Sequence, residues 1–254
     1  MIRTGKLLGK NKFTTCMPLI SGTEAALFKE VEETGVSDYD FLEWRRDYFR
    51  QGEVLTVDEE IKILKKLKRI KGDPGIIYTF RSHNEGGACE TPDSVRLEAI
   101  GFAASVADYV DVELKSSHTF LKGVKKALEN TGCGLILSHH HFKKTPNAKE
   151  INEIYDAMEN LKADVLKLAV TPSSEEDMRQ LIGASLKKNE RTAKTLIAIA
   201  MGALGSITRV APELCGGSLT YVAGSGKTAP GQLTLEEIMI LRKSLGLGKL
   251  SEYK

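Results

Sequence analysis

Lys167 lies in the run ADVLKLAV, flanked by Val165-Leu166 and Leu168-Ala169, and is the only ionisable residue between Asp164 and the end of that run. A lysine buried among such neighbours loses hydration of its charged form. Its pKa falls, and the neutral amine can condense with a ketone to form a Schiff base. The alternative is a lysine whose stem lies along apolar surface while its ammonium reaches water. His139-His140-His141 lies in a second apolar run, GLILSHHHF. Neighbouring residues of a strand point to opposite faces, so three consecutive histidines cannot converge on one ion, and no metal site is expected. His139 and His141 share a face, expected to be outward. His140 takes the other face and reads either as a general acid/base near Lys167 one strand over, or as a hydrogen-bonded core histidine. Charge also recurs at period two elsewhere: Glu43, Arg45 and Asp47 in one run, Asp111 and Glu113 in another, with Arg81 ending a third just before Glu85. Such groups line a polar site at strand ends or form a solvated, salt-bridged rim. Gly224-Ser225-Gly226-Lys227-Thr228 ends like a phosphate-binding loop, but that motif needs glycine at position 221, where Tyr221 stands. A flexible glycine-rich loop fits better.

The elements that must position these side chains alternate along the chain. Strand-like apolar runs fall at about 12–20, 39–46, 75–82, 109–115, 134–142, 163–170, 195–202 and 218–224, each followed by a helical pattern. The helix opened by Thr56 carries Asp58, Glu59 and Glu60 at its start and a Lys/Arg run at its end, which suits the helix dipole. Short apolar runs of this kind belong to parallel strands buried on both faces. Eight strand–helix pairs in 254 residues predict an α/β fold, a (β/α)8 TIM barrel forming one domain over 1–254. The polar clusters fall in the second halves of their strands, where such a barrel places its chemistry. The first ten residues, with Gly5 and Gly9, are expected to form a short hairpin closing the bottom of the barrel. Ile20-Ser21-Gly22-Thr23 after the first strand is not a dinucleotide-binding glycine pattern.

Composition narrows the class. Lys and Arg number 36 and Asp and Glu 34, a net charge of +2, which does not suggest a nucleic-acid partner. The hydrophobic fraction of 41% supports a sizeable core. No apolar run has the roughly 20 residues of a membrane span, and the N-terminus lacks the apolar stretch of a signal peptide. Cys16, Cys89, Cys133 and Cys215 form no C-x-x-C pair. The expectation is a cytoplasmic protein with neither disulfides nor zinc.

Taken together, the motifs resemble a known family, the type I 3-dehydroquinate dehydratases (dehydroquinases) of the shikimate pathway. The resemblance runs from about Cys16 to Leu235 through Glu-Trp-Arg at 43–45, Phe-Arg-Ser…Glu-Gly-Gly at 80–87 and Asp-Val-Glu-Leu at 111–114. It continues through Ser-His-His-His-Phe at 138–142 before Thr145-Pro146, Ala-Asp-Val-Leu-Lys at 163–167, Met201-Gly202, Thr208-Arg209 and Ala-Pro-Gly-Gln at 229–232. It implies a lyase that dehydrates 3-dehydroquinate to 3-dehydroshikimate by syn elimination, needs no cofactor, and acts as a homodimer on a small-molecule substrate. It further implies Lys167 as the Schiff-base lysine, His140 as the general acid/base and Glu85 as the group that orients it. Glu43, Arg45, Arg81, Arg209, Thr228 and Gln232 align with residues that hold the substrate's hydroxyls and carboxylate. Two positions depart from the family: His141 replaces Asp or Asn, and Thr228 replaces Ser. A class I aldolase acting on a sugar phosphate, with the same lysine chemistry, is the alternative enzyme. A barrel kept as a binding module is the alternative outside catalysis.

Overall fold

The computed structural model describes residues 6–35, 39–224, 226 and 229–248. Eight strands alternate with eight helices: β1 (Thr14–Leu19), α1 (Glu24–Glu33), β2 (Phe41–Arg45), α2 (Val57–Lys68), β3 (Gly75–Thr79), α3 (Asp93–Ala103), β4 (Tyr109–Glu113) and α4 (His118–Leu128). They continue as β5 (Gly134–His141), α5 (Ala148–Asn160), β6 (Val165–Val170), α6 (Glu175–Arg191), β7 (Thr195–Ala200), α7 (Ser206–Val210), β8 (Leu219–Tyr221) and α8 (Leu235–Ser244). The strands form one sheet in the order β7-β6-β5-β4-β3-β2-β1-β8. β8 pairs parallel with β1 from Thr14↔Leu219 to Cys16↔Tyr221, and β7, at the other end of that order, also contacts β8. The fold class is the (β/α)8 barrel.

Local chemistry starts the helices. In α2 the Thr56 side chain accepts from the Glu59 N–H while the Glu59 carboxylate accepts from that of Thr56, and Asn147/Glu150 and Thr234/Glu237 do the same for α5 and α8. The helical pattern after the seventh strand divides: α7 stops at Val210 and a 3₁₀ turn begins at Pro212, whose ring removes the donor a continuing helix needs.

Contacts cluster in two compact units, one of residues 1–7 and 17–137, the other of residues 8–16 and 138–254. In the first, β2, β3 and β4 pair in register, Phe41–Arg45 against Gly75–Thr79 and Ile77–Thr79 against Tyr109–Asp111. One face of this ladder is aromatic: Trp44 packs edge-on against Phe49 and Tyr78. Below it Arg46 is paired to Glu60 of α2 at 3.1 Å, and the Tyr78 hydroxyl donates to the same carboxylate. In the second unit β6 and β7 pair along their whole length, Val165↔Thr195 to Val170↔Ala200. Tyr155 of α5 meets Ser185 of α6 at 2.9 Å.

Of the expected N-terminal hairpin, residues 6–13 are described and contain no strand. Residues 1–5, with Gly5, lie outside the described residues. Side chains at strand starts take the place of a partner strand. Lys6 N–H donates to Asp108, Asn11 N–H to Ser218, and Thr195 hydroxyl to the Leu8 carbonyl, at 3.0 Å each. With those groups satisfied, no second strand is needed to pair them.

Candidate active site

In the first unit the period-two charges of β2, β3 and β4 gather on one face. Glu43 is buried and accepts a hydrogen bond from Thr79 on β3 at 2.8 Å. Arg45 grips Asp47 in a two-pronged pair, Nε to Oδ1 at 3.0 Å and Nη2 to Oδ2 at 2.8 Å. Asp47 also accepts from the Ala88 N–H at 3.0 Å, which ties the loop carrying Glu85 back to the end of β2. Arg81, just past β3, spans β4: Nη2 donates to Asp111 at 2.8 Å and Nη1 to Glu113 at 3.0 Å. Burial alone would lower both guanidinium pKa values, but Asp47 raises that of Arg45, and Asp111 with Glu113 raises that of Arg81. Both cations are therefore firmly charged and already matched by carboxylates. Glu113 shows the same balance in reverse. Burial pushes its carboxyl up, and Arg81 and Arg96 pull it further down, so it titrates below the ordinary range. Glu85 ends a 3₁₀ turn at 83–85 and is itself buried, with Gly86 leaving in the left-handed region at φ 85°.

In the second unit Lys167 occupies the middle of β6, 4% exposed, opposite Ile197 of β7. Its Nζ donates to the hydroxyl of Tyr221, the last residue of β8, at 2.9 Å, and lies 4.3 Å from that ring's centroid. On β5 the histidines alternate as period two requires. His140 stacks on Phe142 at 5.9 Å between ring centroids, while His139 and His141 meet edge to face at 4.6 Å. Among the described residues no group of three or more His, Cys, Asp or Glu is arranged to hold a metal ion.

Arg209, in α7, differs from the other two arginines. It is 1% exposed; its Nη2 donates to the Pro230 carbonyl at 2.9 Å, and its Nε is buried without a hydrogen-bond partner among the described residues. Burial lowers its pKa to about 10, with no acidic side chain among the described residues to offset it. A buried guanidinium in this state is suited to an anionic partner. The Pro230 carbonyl also accepts from the Gly202 N–H at 3.1 Å, and Gln232, buried, accepts from the Ala229 N–H at 3.2 Å. The turn at 229–232 is thus docked beside Arg209. Gly231 makes this possible: its φ is 76°, and a Cβ there would lie 2.6 Å from the Gly202 carbonyl oxygen. Thr228 and Lys227 lie outside the described residues.

The sequence model of the family described as Type I 3-dehydroquinase matches residues 15–248. The chain belongs to the type I 3-dehydroquinase family. Among its relatives, a 3-dehydroquinate dehydratase of Listeria monocytogenes is 33% identical over 225 residues, 88% of each chain. One of Bacillus licheniformis is 32% identical over 248 residues, covering 95% of this chain and 97% of that one. Among solved structures, 3-dehydroquinate dehydratase from Geobacillus kaustophilus superposes with a TM-score of 0.85 at 29% identity, covering 94% and 93% of the two chains. The type I enzyme from Clostridium difficile, solved with covalently modified comenic acid, gives 0.86 at 28% identity over 96% of each.

The site residues expected from the resemblance to type I dehydroquinases fall into two groups. Glu43, Arg45, Arg81 and Glu85 stand in the first unit, and His140, Lys167, Arg209 and Gln232 in the second. Tyr221 was missed by sequence reasoning, which met it only as the residue that spoils a phosphate-binding loop. Its signal was available: it lies in the middle of an apolar strand run, SLTYVAG, where a polar tip on an apolar body is placed to reach a site.

Proposed function

We propose that the chain dehydrates 3-dehydroquinate to 3-dehydroshikimate by syn elimination through an imine at Lys167. The observation that carries this reading is an amine buried within β6, at a residue that sequence resemblance aligns with the Schiff-base lysine, in a member of the type I dehydroquinase family. The amine adds to the ketone and water leaves, giving a protonated imine that draws electrons from the adjacent carbon. His140 takes the proton from C2, and the electrons pass into an enamine. The enamine expels the C1 hydroxyl, to which His140 returns that proton. Both transfers come from one residue and so from one face of the ring. Water then hydrolyses the imine. Glu85 orients His140 for these steps.

Arg209 takes the substrate carboxylate, because it is the buried guanidinium without an acidic partner. Glu43, Arg45, Arg81, Thr228 and Gln232 hold the ring hydroxyls. The reaction belongs to the shikimate route to aromatic amino acids and needs no cofactor. The chain works as one barrel domain, 1–254, in the cytoplasm, and as a homodimer. Exposed Leu204, Ile207, Leu214, Ile240, Leu241 and Leu245 on and around α7 and α8 support the last point. No helix among the described residues is long and apolar enough to cross a membrane.

The test is direct. Protein mixed with 3-dehydroquinate must generate the ultraviolet absorbance of a conjugated enone, and Lys167→Ala must not. Enone formation by the variant at the parent's rate would end the reading.

A further inference from the structure

We propose that Tyr221 is a catalytic residue of this site, whose phenol holds the Lys167 amine and carries the proton exchanged when the imine forms and when it is hydrolysed. The proposal rests on Lys167 being the imine lysine. Tyr221 is 6% exposed and ends β8, with Cys16 of β1 as its register partner. The contact is made by its oxygen, to which the Lys167 Nζ donates at 2.9 Å. A phenylalanine would fill the same volume and keep the ring beside the amine, so packing alone does not call for the hydroxyl.

A lysine side chain turns about four carbon–carbon bonds, and an amine that must attack one carbonyl carbon benefits from a fixed position. A carboxylate in that place would only accept hydrogen bonds and would hold the ammonium charged. A phenol is neutral and can both accept from an ammonium and donate to an oxygen, which is what the next step asks for. After the amine adds to the ketone, the former carbonyl oxygen is a hydroxyl on the carbon bonded to Nζ, two bonds from an atom Tyr221 already touches. To form the imine, the nitrogen lone pair becomes the second C–N bond and the C–O bond pair leaves with the oxygen. The Tyr221 proton joins that oxygen, and water departs. The resulting phenolate sits beside the cationic imine, an opposite charge that stabilises it. At the end of the cycle, water adds to the product imine, its oxygen bonds to carbon, and its proton returns to the phenolate. One proton is lent and recovered, one water is released and one consumed, and no other reactant is needed.

Timed borohydride quenching of protein mixed with 3-dehydroquinate tests this, with the mass of the Lys167 peptide reporting the imine and enone absorbance reporting elimination. In Tyr221→Phe, adduct should appear on Lys167 about 10²-fold more slowly than in the parent, with the thermal midpoint unchanged. Tyr221→Leu, which loses ring and hydroxyl together, should be no faster. Adduct forming at the parent's rate in Tyr221→Phe would overturn the proposal, and so would a defect seen only in Tyr221→Leu, since the ring alone would then matter. If the parent itself labels a different lysine, it is the Lys167 reading that fails, whatever Tyr221 does.

Discussion

Three arginines were available to bind a carboxylate, and their charge environments separate them. Arg45 and Arg81 are bound to Asp47, Asp111 and Glu113, whereas Arg209 is buried with its Nε unpartnered. Its lowered pKa, about 10, means that burial disfavours the cation in the folded chain, so at neutral pH the charge costs stability. Arg209→Leu should therefore fold at least as stably as the parent, by thermal denaturation, while kcat/KM for 3-dehydroquinate falls about 10–100-fold, the worth of one charged hydrogen-bonding partner. A large loss of stability would show that the guanidinium supports the fold instead. At His140 the expectation concerns a step. His140→Ala should still form the imine but eliminate about 10²–10⁴-fold more slowly, so that borohydride traps more adduct at Lys167 than in the parent. Full turnover by that variant would pass the proton chemistry to another group.

At the scale of strands, period-two reading was reliable because it follows from backbone geometry alone. It put Glu43, Arg45 and Asp47 on one face, Asp111 with Glu113, and His140 on the face opposite His139 and His141, and the contacts agree. What it could not supply was pairing between strands. That Arg81 is neutralised by β4 while Arg209 is not depends on which strands neighbour each other, and no spacing within a strand encodes that. The same limit hid Tyr221, whose partner is 54 residues away. The N-terminal segment shows a related limit: Asp108, Ser218 and Thr195 satisfy backbone groups of Lys6, Asn11 and Leu8, a role invisible from glycine positions. The β3–β4 network carries its own prediction. Glu113 titrates below the ordinary 4.5 because Arg81 and Arg96 outweigh its burial. Its contribution to stability is therefore complete above that pH and is lost as pH falls through its own lower value. Glu113→Gln leaves two buried cations short of a partner and should cost about 3–5 kcal/mol near neutrality. The gap between variant and parent should close in acid. A gap that stays constant down to the parent's acid unfolding would contradict the assignment.

For the whole molecule, the strand–helix alternation made the fold legible, since eight parallel strands need seven crossovers and the chain has the length for them. Function was legible only where several motifs occurred in order, because a lysine in an apolar strand or a histidine run is by itself ambiguous. The account stands on a covalent bond between substrate and one side chain, and the most direct measurement looks for that bond. Borohydride added to the protein during turnover of 3-dehydroquinate should leave a reduced adduct, found by peptide mass on the segment holding Lys167, and Lys167→Ala should show none while keeping its fold. An adduct on another lysine, or steady turnover with no trappable adduct, would contradict the account.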